Sequence, residues 1–109
     1  MSEKSALDEG MEKMKEQMPD VMIPFGTLME QVTKDGLLNA KTKRLMIVAV
    51  AVAQRCQQCI RVHVKAALDL GASREEILEA TGVSILMAGG PAMAQVATVV
   101  LEALDETGA

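Results

Sequence analysis

Along the first third of the chain, apolar residues recur at intervals of three and four, the spacing that gathers them on one side of an α-helix. Leu7, Met11, Met14 and Met18 form one such stripe among alternating acids and lysines, and predict a helix over Ser5 to Met18. Gly10 weakens it by about 1 kcal/mol relative to alanine, and Pro19-Asp20 interrupts the pattern. Phe25, Leu28, Met29 and Val32 form a second stripe, which predicts a helix that starts near Pro24 and ends at Asp35-Gly36. The start follows from the tolerance of proline in a first helical turn.

A third helix is expected from about Ala40, and within it polar positions disappear after Arg44. Asn39 is a candidate N-cap, and every residue from Leu45 to Ala53 is apolar, which predicts a helix buried on most of its sides. Its β-branched residues would also suit a strand, but no other segment has strand character to pair with it. Neither glycine nor proline separates this run from the apolar positions Val62, Ala66, Leu68 and Leu70. One long helix to Gly71 is therefore allowed, and so is a tight break near Gln54. Ser73-Arg74-Glu75-Glu76 reads as a capping box opening a fifth helix with a broad apolar face, from Ile77 and Leu78 to Leu86 and Met87. After Gly89-Gly90-Pro91 a sixth helix runs through Met93, Val96, Val99, Val100, Leu101 and Leu104, and Asp105 to Ala109 reads as a frayed tail. The pattern describes a single all-α domain over residues 1–109, with about six helices and no internal repeat.

Composition sharpens this picture in three ways. With 50% hydrophobic and 24% charged residues the chain is globular, but with one Phe and no Trp or Tyr its core is expected to consist of Ala, Val, Leu, Ile and nine Met. A net charge of -4 argues against a nucleic-acid partner. The longest apolar run, at nine residues, falls short of the roughly 20 needed to span a bilayer, and the polar first residues lack a signal segment. A cytoplasmic protein with no membrane role is the expectation.

The chemistry is concentrated in Arg55-Cys56-Gln57-Gln58-Cys59-Ile60-Arg61-Val62-His63, which holds both cysteines and the only histidine. At about 100° per residue, Cys56, Cys59 and His63 fall within an arc of about 60° on one helix face. Residues three apart in a helical turn meet the Cα separation of a disulfide, roughly 4.4 to 6.8 Å. His63, one turn beyond Cys59, is placed to accept a thiol proton, and the thiolate is the form that attacks peroxides or disulfides. Inert packing of the cysteines is a weaker reading, because both share one Cys-x-x-Cys with the sole histidine. A zinc site is also weaker, because structural zinc wants a fourth ligand and no further Cys or His exists.

Taken together, Lys41-Thr42-Lys43-Arg44-Leu45, Cys56-x-x-Cys59-x-x-x-His63, Ala66-Ala67, Gly71-Ala72-Ser73-Arg74-Glu75-Glu76-Ile77 and Gly89-Gly90-Pro91 resemble the carboxymuconolactone decarboxylase superfamily, in particular its alkylhydroperoxidase D-like branch. The resemblance covers roughly residues 21–106. It implies an all-helical, homo-oligomeric protein, a trimer or hexamer, that reduces organic hydroperoxides through its two cysteines without cofactor or metal and is recharged by an external dithiol reductant. It further implies that Cys59 attacks the peroxide, that His63 belongs to the proton relay, that Cys56 is the resolving thiol, and that the cysteine pair opens a new helix, favouring the break near Gln54. Two positions depart from the pattern: Arg44 stands where the peroxidase branch carries a relay glutamate, and Gln58 stands where some members carry a histidine. If helices three and four fold back around residue 54, position 44 lies opposite about residue 64, so Arg44 can approach His63 and lower a nearby thiol pKa by its charge. Glu30 is a candidate replacement for the missing carboxylate.

The expected function is thus a thiol-dependent peroxidase cycling between a Cys56/Cys59 dithiol and its disulfide. The alternatives are a decarboxylase-type lyase, against which the cysteine pair counts, and a helical oligomer that binds metal or has no catalysis. Homo-oligomer formation is also expected from the residues, because the apolar faces of helices three, five and six exceed what one small core readily covers.

Overall fold

Helices account for nearly all of residues 5–109, the part of the chain that the computed structural model describes, and no strand occurs among the described residues. The polar start of the chain, on which the absence of a signal segment is read, lies largely outside them. The chain divides into two compact units, one ending at Lys34 and one covering Asp35–Ala109.

The first unit is a hairpin of two amphipathic helices, α1 (Ala6–Gln17) and α2 (Pro19–Thr33). Ser5 caps α1: its hydroxyl accepts the Asp8 N–H at 3.1 Å while the Asp8 carboxylate accepts the Ser5 N–H at 3.3 Å. α2 begins five residues earlier than the sequence suggests. Pro19, not Pro24, takes the first-turn position where a missing N–H costs nothing, and Pro24 lies inside the helix on an exposed stretch where water can take the freed carbonyl. Neither helix buries a residue. A groove of about 460 Å³ between them is lined by Met11, Ile23 and Glu30, among others.

The second unit holds the core. α3 (Ala40–Ala53) is capped by Asn39, whose side-chain oxygen accepts the Thr42 N–H at 2.8 Å, and by Asp35, which accepts the Ala40 N–H at 2.7 Å. It packs against α4 (Gln57–Asp69) and α5 (Arg74–Ala88). The last helix, α6, starts as Gly90–Gln95, passes without a break through a π turn at Val96–Val100, and ends as Leu101–Glu106. Val48, Val52, Ile60, Val64, Ile77, Val100 and Leu104 are fully buried, and each of the larger ones contributes about 1.5–3 kcal/mol. Ser84 is buried as well and donates to the Ala49 carbonyl at 2.7 Å, tying α5 to α3.

Three further expectations are corrected here. The core is Val, Ile, Ala and Leu, and no described Met is buried; the methionines lie on the hairpin and on outward faces. Their flexible side chains suit adaptable surfaces better than a core of β-branched shapes. α3, although apolar nearly all round, buries Val48, Ala51 and Val52 but leaves Met46 and Val50 exposed, because α4 and α5 cover only one side of it. The chain end is not frayed. Arg74 holds Asp105 at 2.9 Å and the Ala109 carbonyl at 2.8 Å, and Gly108, in the left-handed region, closes the helix with its N–H on the Asp105 carbonyl. Arg61 of α4 meets Glu102 at 3.2 Å and Glu106 at 3.5 Å. No described helix is long and apolar enough to cross a membrane.

Candidate functional site

The two cysteines sit where the chain turns from α3 into α4. The break near Gln54 is the one that forms. The Arg55 N–H bonds the Val52 carbonyl at 3.0 Å and the Cys56 N–H bonds the Ala51 carbonyl at 3.1 Å, the double closure of a Schellman ending. This ending needs a left-handed residue, usually glycine, and here Arg55 takes it with φ 57°. An L-residue other than glycine pays roughly 1–2 kcal/mol for that conformation.

The turn makes Cys56 the N-cap of α4. Its sulfur receives the Cys59 N–H at 3.3 Å, and its carbonyl accepts the Ile60 N–H at 2.9 Å. Cys59 follows in the first turn and packs against the buried core. The two are joined in a disulfide, with Cα atoms 5.2 Å apart, within the range that needs no backbone movement. Gln57 and Gln58 between them are exposed.

His63 follows Cys59 by one turn on the same helix face, half-buried. Arg44 reaches it from α3, with Nη1 3.0 Å from Nδ1 of the ring, as the folding back of α3 and α4 requires. Burial, and then the Arg44 charge, hold the His63 pKa below its ordinary value, so the neutral ring is favoured. The rest of the Arg44 guanidinium is less well provided for: its Nε is buried without a hydrogen-bond partner. Gln95 on α6 is the other such residue among those described, with a buried unpartnered Oε1. Nothing in the sequence marks Gln95 beyond its being a polar residue in an apolar helix. Glu30, the candidate substitute carboxylate, is an exposed residue of the hairpin and lines its groove. Among the described residues no three His, Cys, Asp or Glu side chains group as a metal ion would require.

The chemistry available at this corner is therefore thiol–disulfide chemistry at a helix N-terminus, where backbone N–H groups favour the thiolate, beside a neutral imidazole and a guanidinium.

Known proteins share this arrangement of helices. A carboxymuconolactone decarboxylase family protein of Legionella pneumophila, in its apo form, superposes with a TM-score of 0.90 at 39% identity, over 94% of this chain and 91% of that one. A Thermotoga maritima protein of the same family, for which a part in the antioxidative response has been suggested, superposes with a TM-score of 0.73 at 32% identity, over 78% of this chain and 87% of that one. In sequence, the chain is 44% identical over 82 residues to uncharacterized protein 4 of the cox locus of Paracoccus denitrificans, which covers 75% of this chain and 73% of that protein. It is 40% identical over 73 residues to an uncharacterized protein of Cupriavidus necator, where the match takes in 67% of this chain but only 65% of the relative's length. The sequence profile of the Carboxymuconolactone decarboxylase family matches residues 19–102, from α2 through most of the core unit. Matched over most of its length and folded as these relatives are, the chain belongs to the carboxymuconolactone decarboxylase family.

Proposed function

We propose that this protein is a thiol-dependent peroxidase, which reduces organic hydroperoxides as Cys56 and Cys59 pass from dithiol to disulfide and is returned to the dithiol by an external dithiol reductant. The observation that carries the reading is the Cys56–Cys59 disulfide itself, closed across the first turn of α4 with a Cα separation of 5.2 Å. A pair that closes within one helical turn can open and close while the core behind it stays packed. The antioxidative role suggested for the Thermotoga maritima relative points the same way. Lactone decarboxylation has no step for two adjacent thiols.

Stopped-flow oxidation of the reduced protein by alkyl hydroperoxides tests this. A saturable loss of peroxide is expected, abolished in Cys59→Ser and, in Cys56→Ser, halted after one equivalent with a sulfenic acid left on Cys59. Peroxide consumption no faster than that of free cysteine would sink the reading.

We further propose that the chain works as a homo-oligomer. Leu86 and Met87, on α5, are 82% and 78% exposed, and Val21, Phe25, Leu28 and Val32 are exposed along α2, more apolar surface than a monomer usually leaves open. Light scattering on a sizing column is expected to give a multiple of the chain mass. A single-chain mass would overturn it.

A further inference from the structure

Arginine has five N–H donors and no acceptor. A hydrogen bond between Arg44 Nη1 and His63 Nδ1, at 3.0 Å, therefore exists only if Nδ1 offers its lone pair. The proton of the neutral ring must then lie on Nε2, at the other edge of the imidazole. Protonating Nδ1 as well would set two N–H groups against each other and an imidazolium against a guanidinium.

We propose that Arg44 locks His63 in the Nε2–H form, so that His63 serves the cysteine pair as a hydrogen-bond donor and not as the base that removes the thiol proton. The role of donor rests on the peroxidase reading; the lock does not. Arg44 is then a positioning residue acting through His63. The lowered pKa of His63 agrees with the lock, and the charge that acts on the ring besides its burial is that of Arg44. Placed four residues after Cys59, His63 shares its face and leans toward the helix N-terminus, as helical side chains do.

The consequence for the reaction is specific. The thiol proton goes to solvent, made easier by the helix N-terminus and the N–H groups of the first turn and by the His63 Nε2–H. The thiolate attacks the outer oxygen of ROOH; the S–O bond forms as the O–O bond breaks, sulfur is oxidised to the sulfenic acid, and the departing alkoxide takes a proton from solvent to give ROH. The second thiol then displaces the sulfenic oxygen as water and the disulfide closes. His63 keeps its proton throughout and stabilises negative charge on sulfur and on the leaving oxygen.

Because His63 is the only histidine, nitrogen NMR of wild-type protein labelled in histidine reads the lock from a single ring. An unprotonated Nδ1 and a protonated Nε2 are expected through the neutral range. A proton on Nδ1, or comparable amounts of both forms, would overturn the proposal without any variant having to fold. Arg44→Glu should reverse the ring, since a carboxylate accepts from Nδ1–H; an unchanged ring in that variant would also overturn it. The donor role is read on reduced protein by iodoacetamide alkylation against pH, which needs no peroxide. His63→Gln, which retains both an acceptor and a donor, is expected to keep the wild-type midpoint, whereas His63→Leu should raise it by about one pH unit, the worth of a hydrogen bond to a charged group. If His63→Gln moves as far as His63→Leu, the donor role is wrong. A protein that passes both measurements yet consumes no peroxide would refute the peroxidase reading and leave the lock standing.

Discussion

Two corners of this protein are built on one plan and filled with different residues. Where α4 gives way to α5, the Gly71 N–H bonds the Leu68 carbonyl at 2.9 Å, the Ala72 N–H bonds the Ala67 carbonyl at 3.0 Å, and Gly71 takes the left-handed position at φ 93°. Ser73 then caps α5, accepting the Glu76 N–H at 3.0 Å while Glu76 accepts the Ser73 N–H at 3.0 Å. Where α3 gives way to α4 the double closure and the N-cap bond recur, but arginine stands for glycine and cysteine for the capping serine, and Cys59 stands at the glutamate's position without its reciprocal bond, since the Cys56 N–H goes to the Ala51 carbonyl. Each exchange gives up local stability. The first corner is what a helix–turn–helix looks like when only folding is asked of it, and the second is what it becomes when thiols must occupy its best capping positions. Strain and weak caps gather at sites of function because the surrounding core over-determines the geometry.

Substitutions should separate the two corners, and the largest effect is expected at the well-formed one. A Cβ at Gly71 would meet nothing within 4 Å, so Gly71→Val carries the backbone penalty alone, and for a β-branched residue in the left-handed region that is about 2 kcal/mol. Urea unfolding would show it as a lowered midpoint with unchanged slope. Ser73→Ala should cost about 1 kcal/mol through the lost cap, read in the same way. A loss below a few tenths would mean that the Glu76–Lys41 ion pair, at 3.0 Å, holds the corner without the serine.

Much of this could be read in the sequence, and the limit has a physical origin. Asn39 and Ser73 announce their helices because a cap is a local signal, completed within three residues. The turn before Cys56 carries no such signal, since Arg55 is the wrong residue for it, and the break followed from the family resemblance. Pro19 and Pro24 both satisfy the rule for a first-turn proline, and sequence alone could not choose between them. The Cys56, Cys59 and His63 face was legible from helical period, and the approach of Arg44 from the hairpin of α3 and α4. What the period does not carry is which apolar stripe finds a partner: α2 has a stripe at helical spacing, as α4 has, yet buries nothing.

A smaller effect of opposite sign is expected at the strained corner. Arg55→Gly should stabilise by about 0.5 kcal/mol, the relief of the left-handed penalty set against the greater freedom of glycine in the unfolded chain. Equilibrium unfolding of the oxidised protein would measure it, and a loss of stability would show that the Arg55 side chain contributes more than its backbone costs.

Acid should distinguish the corners least in size but clearly in place. His63 is held below its ordinary pKa, so as pH falls below about 6.5 the unfolded imidazole takes a proton that the folded one refuses. Stability is present above that pH and is lost as the pH falls toward the lowered folded value. Glu76 is also lowered, chiefly by its hydrogen bond from the Ser73 backbone and then by Lys41, and its contribution is lost only at lower pH, as the carboxylate protonates. Unfolding followed against pH should show the upper loss shrink in Arg44→Met but persist, because the ring stays buried, and the lower one shrink in Lys41→Met.

The π turn at Val96–Val100 acts on everything downstream as a change of gear. A widened turn holds one residue more than the α-helix around it, and one residue is about 100° of rotation. Beyond it, Ala103 and Leu104 face the core while Glu102 and Glu106 face Arg61. Were that turn to tighten to an α turn with all its residues kept, the last two turns would rotate by a quarter circle, swinging the glutamates away from their arginine and the leucine toward water, whereas deleting a single valine would let it tighten with their facing unchanged.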